Sequence, residues 1–402
     1  MSARPLYRMP YDGKHVPHLV IEVNQRCNIR CTACYKHKDG ETKPLETVLG
    51  EIDLALQRRD LRAITLAGGE PTLHPDLPAI IKYIDSRGVQ AQMLTNGYKL
   101  SDDLLGRLHE AGLKELFLHI DSFQDRPDLR RGRGEKELND LREQIAKRVV
   151  ANGIHCSLVL TLYRATLNDL PGVVRFTLTN PYITRLLVTC YTDFDRIGRE
   201  FRGGDILGTL HGPGARRPLA MSGDSLAEEA VTSREVEALL RKELGMAPFG
   251  YVASSHNLTE PRWLFYYSLA QHQPGKPTRL LHIAPTFDRA VRLVYGLARL
   301  RGNPYSFADV LSQRQSLTIA LVNALVSASP STVRETMAFL AGMLRKGSSI
   351  QHKSFTFQQG PNLTADGAIE YCRDCPDATI RDGVLVPVCL VDVVRPKAAQ
   401  AS

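Results

Sequence analysis

The N-terminal part of the chain carries three cysteines on one short segment. Cys27, Cys31 and Cys34 are separated by three and then two residues, and they follow an apolar run at residues 19–23. Three thiolates on one loop can hold three irons of a [4Fe-4S] cube and leave the fourth iron free for a ligand that is not protein. We expect the chemistry of this protein to take place at that open iron.

A zinc site is the alternative for these thiolates. Structural zinc is almost always held by four protein ligands. No fourth Cys or His lies at zinc-finger spacing, although His37 is nearby. The ligand count favours the iron-sulfur cube, and a non-catalytic zinc-binding protein stays open as a hypothesis of another class.

Two further motifs follow apolar runs. Gly-Gly-Glu-Pro at residues 68–71 comes after the run at 63–67, and Leu-Thr-Asn-Gly at 94–97 completes the next run. Together with the cysteine spacing, these motifs make residues 17–190 resemble the radical S-adenosylmethionine (SAM) superfamily. The resemblance implies a [4Fe-4S] cluster whose open iron is chelated by SAM, radical chemistry after one-electron reduction, and a flavodoxin or ferredoxin-type reductant.

The resemblance also implies which residues approach SAM. By the family motif, the Gly-Gly-Glu segment would hold the amino group, and glycine lets the backbone come close to a ligand. The expected SAM contacts are Gly68, Gly69, Glu70, Thr95, Asn96, Asp121, Ser122 and Arg164. His119 is either a substrate contact or a hydrogen-bonded core histidine. Ala33 departs from the family, in which a large apolar residue near adenine is more common before the third cysteine.

A second group of cysteines lies near the C-terminus. Cys372 and Cys375 form a C-x-x-C pair, Cys389 follows after thirteen residues, and Asp-Gly at 382–383 predicts a hairpin turn between them. This spacing resembles the SPASM/twitch auxiliary-cluster motif, as in the GTP cyclases of molybdenum-cofactor biosynthesis. The flanking sequence is more weakly similar to the tetraether-synthase-like group. The resemblance implies a second iron-sulfur cluster, of the [4Fe-4S] type, that binds substrate or accepts an electron.

Zinc is again the alternative at this second group, and again a fourth ligand is missing nearby. Cys190, at the end of the sixth predicted strand, is a candidate if the fold brings it close. Cys156 lies within a predicted strand and is expected to be a buried small residue.

The elements that must position these motifs alternate along the first half of the chain. The strand candidates are residues 19–23, 63–67, 89–95, 115–121, 154–162 and 183–190. Helical patterns between them end at glycines 88, 112 and 153, as left-handed helix caps do. Such a series predicts an α/β fold with a parallel sheet and functional residues at the carboxyl ends of its strands. The resemblance implies a partial (β/α)6 TIM-like barrel.

Changes of composition divide the chain into five parts. We predict an N-terminal extension at 1–16, the radical SAM barrel at 17–190, a Gly/Arg-rich loop at 191–231, a helical insertion at 232–350 and an auxiliary-cluster subdomain at 351–402. Capping-box patterns at Thr232 with Glu235 and at Thr332 with Glu335 predict two helix starts within the insertion. The only tryptophan, Trp263, lies in an aromatic cluster there.

Composition limits the class of protein. The 402 residues carry a formal charge of +8, and six of eight cysteines lie in two tight groups that suit metal ligands better than disulfides. No signal pattern opens the chain, and the longest apolar stretch is too short to cross a bilayer, so we expect a cytoplasmic protein. The basic segments lack interleaved aromatics, which argues against nucleic acid.

The substrate is the least determined feature. Because Cys27 comes so early, we expect no peptide-recognition domain before it, which favours a small molecule of the natural-product or cofactor type. The alternatives are a lipid, a peptide or RNA.

Overall fold

The computed structural model describes residues 6–34, 41–129, 134–194, 197, 230–300, 311–327, 329–344, 347–364 and 368–391. Most of the predicted Gly/Arg-rich loop at 191–231 lies outside these residues. In the described part of the chain no helix combines the length and the apolar character that a membrane span requires.

The strands and helices are numbered in chain order. The strands are β1 Tyr7–Arg8, β2 His18–Asn24, β3 Arg30–Cys31, β4 Ala63–Gly68, β5 Gln90–Thr95, β6 Leu113–His119, β7 Gln124–Asp125, β8 His155–Leu162, β9 Ile183–Cys190, β10 Gly250–Ala253, β11 Pro261–Gln273, β12 Lys276–His282, β13 Ser349–Gln359, β14 Asn362–Leu363, β15 Ile369–Glu370, β16 Ala378–Arg381 and β17 Val384–Pro387. The α-helices are α1 Leu45–Arg58, α2 Leu77–Ser86, α3 Asp102–Glu110, α4 Asn139–Ala151, α5 Leu170–Thr179, α6 Ser233–Leu244, α7 Asp288–Leu300, α8 Gln313–Val326 and α9 Pro330–Ala341.

A large sheet organises the molecule. Its strand order is β1-β10-β11-β13-β9-β8-β6-β5-β4-β2, with β12 paired to β11. The six predicted strands are all present, as β2, β4, β5, β6, β8 and β9, and neighbours among them are parallel. The predicted α/β class with a parallel sheet is therefore confirmed.

The helices of the first half pack their apolar faces on this sheet. In α2 the buried residues are Leu77, Ile80, Ile81 and Ile84, spaced three, one and three apart, which is one face of a helix. Burial of each such side chain stabilises the fold by about 1.5–3 kcal/mol relative to exposure. Glycines 88, 112 and 153 follow α2, α3 and α4 with positive φ, so these helices end where the sequence predicts.

The segment predicted as a helical insertion contains both helices and strands. Helix α6 begins with the predicted capping box, in which Thr232 and Glu235 satisfy each other's backbone amides. However, β10, β11 and β12 also lie there, and Trp263 belongs to β11. The long aromatic run of β11 is mostly buried, as expected of a strand inside a sheet.

Two further differences concern the same half of the chain. Helix α9 begins at Pro330 after Ser329, so the cap predicted at Thr332 is wrong; proline is favoured in the first helical turn. Strand β13, which the sequence did not predict, runs parallel to β9 and antiparallel to β11. It joins the later strands to the parallel sheet.

The C-terminal subdomain is a short hairpin that contacts distant strands. Strands β16 and β17 pair antiparallel, and both turn residues at 382–383 have positive φ (51° and 76°), as a type I′ turn needs. Arg381 donates to the carboxylate of Glu22 in β2 at 2.9 Å. The amide of Arg373 donates to the carbonyl of Ala253 in β10, also at 2.9 Å. The subdomain therefore contacts strands near both ends of the strand order.

Candidate active site

The first cysteine group lies on the loop that follows β2, and residues from later in the chain hold this loop in place. Residues 30–31 form β3, which pairs with β7 after the end of β6. The amide of Ala33 donates to the hydroxyl of Tyr163, beyond β8, at 3.1 Å. The side chains of all three cysteines of the loop are partly buried. A thiol donor set on one fastened loop fits an iron-sulfur cluster.

The glycines of the Gly-Gly-Glu motif make room for the base of this loop. A Cβ atom at Gly68 would lie 2.1 Å from the carbonyl oxygen of Asn24, and one at Gly69 would lie 2.0 Å from that of Arg26. Gly68 also has φ +120°, a conformation that only glycine adopts readily. The sequence suggests that these glycines admit the ligand; in the structure they admit the backbone that carries the cysteines.

Glu70 joins the ends of β4 and β5. Its buried carboxylate accepts hydrogen bonds from the amide and hydroxyl of Thr72, from the hydroxyl of Thr95 at 2.6 Å and from the amide of Asn96 at 2.9 Å. Burial raises the pKa of this carboxyl, and the four hydrogen bonds oppose that effect. The carboxylate of Glu70 is therefore fully engaged by donors of the protein.

Asn96 connects β5 to the cysteine loop. Its side-chain amide donates to Asn28 at 2.7 Å, and the same nitrogen lies 3.9 Å from the sulfur of Cys27. The structure therefore brings the Thr-Asn motif, the Gly-Gly-Glu motif and the cysteine loop together at the carboxyl ends of β2, β4 and β5.

The predicted residues after β6 occupy different positions. His119 lines the cavity described below, and its Nε2 lies 2.9 Å from the carboxylate of Asp121. Burial alone would raise the pKa of Asp121, but the hydrogen bonds from His119 and from two backbone amides outweigh it, and the pKa lies below its ordinary value. Ser122 donates from its amide and its hydroxyl to Glu135. Neither Asp121 nor Ser122 lies in the cavity wall.

The prediction for Arg164 is corrected by its position. Its guanidinium lies 2.5 Å from the carboxylate of Glu235, at the start of α6, and also donates to the carbonyl of Ala230. The hydrogen bond from Arg164 is the main cause that lowers the pKa of Glu235 to about 2. Arg164 does not line the cavity, so the structure gives it a role in docking α6 rather than in pairing with a ligand carboxylate.

The second cysteine group is buried beside β11. Cys372 and Cys375 are buried and Cys389 is half-buried. The indole N–H of Trp263 lies 3.1 Å from the sulfur of Cys372. The neighbouring Cys375 thiol is the main cause that lowers the pKa of Cys372, and the charge of Arg262 and the indole N–H act in the same direction. Sequence reasoning missed Trp263, because only the fold brings β11 to the cysteines.

One cavity of about 310 Å³ is lined by both cysteine groups. Its wall also includes the Gly-Gly-Glu motif, Thr95, Asn96, His119 and Cys190. Burial raises the pKa of Cys190 to about 12. Cys156 is buried and does not line the cavity, as predicted for a core residue. Among the described residues, no group of three or more His, Cys, Asp or Glu side chains converges on one metal ion, whereas the thiolates of an iron-sulfur cube each bind a different iron.

A chain of polar side chains crosses the cavity wall from the C-terminal subdomain into the sheet. Asp377 contacts Nδ1 of His18 at 3.0 Å, and Nε2 of His18 lies 2.8 Å from the hydroxyl of Thr65. Thr65 donates to Gln92 at 3.1 Å, and Gln92 donates to Glu115 at 2.9 Å. In the sequence, the only sign of this chain of contacts is the presence of polar residues within otherwise apolar strands. Hydrophobic periodicity alone does not predict which partners such residues contact.

With this geometry established, the comparison with protein families identifies the domain. Residues 21–177 match the family described as the Radical SAM superfamily. The part of the chain that matches this family contains the cysteine loop and the first five strands of the parallel sheet.

Particular relatives match part of the chain. A 7,8-dihydro-6-hydroxymethylpterin dimethyltransferase of Methanocaldococcus jannaschii is 32% identical over 174 residues, which are 41% of this chain and 34% of that protein. A GTP 3',8-cyclase of Aliarcobacter butzleri is 32% identical over 118 residues, 28% of this chain and 36% of that protein. The chain thus spans about a third of the length of these curated relatives. The solved structure of Streptococcus suis SuiB bound to S-adenosylmethionine has a TM-score of 0.36 and 18% identity, and the match covers 44% of this chain and 42% of that one.

Proposed function

We propose that this protein reductively cleaves SAM at a [4Fe-4S] cluster held by Cys27, Cys31 and Cys34 and starts radical chemistry on a small molecule of the natural-product or cofactor type. We further propose a second iron-sulfur cluster on Cys372, Cys375 and Cys389 that binds substrate or transfers an electron. The observation that carries this proposal is the single cavity of about 310 Å³ that both cysteine groups line. A substrate in that cavity would be within reach of both sites.

When bound and reduced, the first cluster supplies the electron that breaks a C–S bond of SAM. The chain's own residues hold and shield that chemistry. The side chain of Asn96 holds the cysteine loop, and the carboxylate of Glu70, which joins the ends of β4 and β5, holds the backbone of Asn96. Aromatic side chains, among them Phe117, Tyr191 and Phe265, form part of the cavity wall and would limit the access of water to a bound substrate. The proposal keeps five of the SAM contacts that the sequence predicts: Gly68, Gly69, Glu70, Thr95 and Asn96.

A small-molecule substrate is supported by the relatives of the chain. The cavity wall itself combines polar side chains, among them Gln92, Gln358 and Arg185, with apolar ones. The curated relatives are named for a pterin and for GTP, both small molecules, and we extend that class to this chain. A flavodoxin or ferredoxin-type protein is the proposed reductant.

The test combines metal analysis with product analysis on the anaerobically isolated full chain. We expect iron and sulfide for two clusters, and methionine with a 5'-deoxyadenosine-type product when SAM and dithionite are added. Replacing Cys27, Cys31 and Cys34 together by Ala should remove about half of the iron and all SAM cleavage. Replacing Cys372, Cys375 and Cys389 by Ala should remove the other half and leave SAM cleavage measurable.

Cys156→Ala is the matched control, because Cys156 is buried but lies outside the cavity wall. It should leave the iron content and SAM cleavage unchanged. Zinc in place of iron at both groups would refute the radical mechanism. Iron at the first group alone would refute the second cluster and leave SAM cleavage standing.

A further inference from the structure

Apolar side chains are exposed on three neighbouring helices of the second half of the chain. Of the twelve large apolar residues exposed in the described part of the chain, four lie on α7, two on α8 and two on α9. They are Leu293, Val294, Leu297, Leu300, Leu321, Leu325, Val333 and Met337. Single exposed apolar residues are ordinary, but a concentration of this kind marks an interaction surface.

These side chains turn away from the protein because the opposite faces of the helices are used for packing. Val291 of α7, Ala320 of α8 and Phe339 of α9 are buried in the same small core, which also contains residues of β11, β12 and β13. Within each helix the exposed residues recur at helical spacing, as at Leu321 and Leu325 in α8. We call the eight exposed residues the apolar surface of α7–α9.

Positive charge accompanies this surface. The described side chains of the three helices include four exposed arginines, at 289, 292, 314 and 334, against one exposed carboxylate, Glu335. Arg289 lies four residues before Leu293, and Arg314 lies seven before Leu321, so each begins the stripe that the leucines continue. Arg292 also pairs with Asp288 and is therefore partly neutralised.

We infer that the apolar surface of α7–α9 docks on an anionic lipid bilayer, with leucines at the acyl boundary and arginines at the headgroups. Helices with an apolar stripe and arginines beside it lie in the plane of a membrane interface without spanning it. A second copy of the chain is a poorer occupant, because a two-fold interface would set this positively charged surface against another of the same sign. This inference does not depend on the proposed function.

The test is co-sedimentation of the full chain with vesicles of phosphatidylcholine alone and of phosphatidylcholine mixed with phosphatidylglycerol. We expect sedimentation with the mixed vesicles that declines as salt is raised, and much less with phosphatidylcholine alone. Leu297→Glu combined with Leu325→Glu should abolish it. Arg289→Gln combined with Arg314→Gln should weaken partitioning into the mixed vesicles roughly 30-fold.

Val150→Glu is the matched control, since Val150 is an exposed apolar residue on α4, outside the surface. It should sediment like the unaltered chain. The inference is refuted if the unaltered chain ignores the anionic vesicles, or if Val150→Glu loses binding equally. It is also refuted if light scattering shows a dimer that the double leucine variant converts to a monomer, because the occupant is then a second copy.

Discussion

The carboxylate of Glu70 offers a sharp test of how the Gly-Gly-Glu motif works. Because it accepts four protein hydrogen bonds, we predict that Glu70→Gln acts mainly by loosening the bridge between β4 and β5. The glutamine oxygen can still accept from Thr72 and Thr95, but its NH2 group would then face the amide of Asn96. Two donors would meet in a buried place, and one hydrogen bond would be lost.

The magnitude follows from those contacts. A buried donor without a partner costs about 1–3 kcal/mol, and the remaining bonds lose the strength that a charged acceptor gives them. Removing the charge relieves part of the burial penalty that raises the pKa of Glu70. We therefore expect Glu70→Gln to lower the free energy of unfolding by about 2 kcal/mol. Thr95→Val, which removes one donor at 2.6 Å, should cost about 1–2 kcal/mol.

Urea denaturation of the reduced, iron-free chain measures these values, and a double-mutant cycle links them. Glu70→Gln and Thr95→Val should be non-additive by about 1 kcal/mol, because they break the same contact. Glu70→Gln and Thr161→Val should be additive, because Thr161 lies on β8, three strands from β4. If Glu70→Gln abolished SAM binding with no loss of stability, and Thr95→Val changed neither, the carboxylate would be a ligand contact and this reasoning would be wrong.

Three further outcomes are expected. Gly69→Ala should lower the iron content at the first cysteine group but not at the second, because the new Cβ would lie 2.0 Å from the carbonyl oxygen of Arg26. An equal loss of iron at both groups would contradict this prediction. Glu235→Ala should lower the free energy of unfolding in urea by about 1–2 kcal/mol, because the helix cap and the Arg164 pair are lost. The difference between the variant and the unaltered chain should disappear as pH falls from about 4.5 through about 2, because the carboxylate then becomes protonated. A difference that does not depend on pH would refute this prediction. Burial lowers the pKa of His352 to about 3, below its ordinary value. The buried neutral imidazole therefore favours the folded state above about pH 6.5, and this contribution is lost as pH falls toward 3. His352→Gln should accordingly reduce the loss of unfolding free energy on the acid side of a plot of stability against pH.

The first half of the fold was predictable because its signals are local. Apolar residues at helical spacing and a glycine after each helix fix the positions of α2, α3 and α4. The second half was not, because β13 joins β9 across a sequence separation of more than 160 residues. Nothing within the sequence of β13 specifies which strand it pairs with. The sequence of β11 shows only a cluster of aromatic residues, and its place inside a sheet is recognised only when the strands on both of its sides are known.

The candidate site shows the same division between local and distant information. Cysteine spacing predicts both groups of metal ligands, and in the structure the Gly-Gly-Glu motif after β4 lies against the base of the cysteine loop. Arg164 and Ser122 were expected near the ligand because they follow strands, yet each is held by a carboxylate, Glu235 or Glu135, from a later segment. A residue's position after a strand predicts which edge of the sheet it occupies, but its partner depends on helices that arrive later in the chain.

The C-terminal subdomain has a consequence for how the cavity is assembled. Its cysteines lie more than 330 residues beyond the first group, and it is held by Arg381 on β2 and by the backbone of Arg373 on β10. Because β2 and β10 lie near opposite ends of the strand order, these contacts link parts of the sheet that do not pair directly with each other. A group bound by the second set of cysteines would stabilise the folded hairpin, since a ligand that binds only the native form adds its binding free energy to folding. The second site would then complete the cavity wall as well as contribute to the chemistry, so its loss should loosen the enclosure of the substrate even where the first cysteine loop is intact.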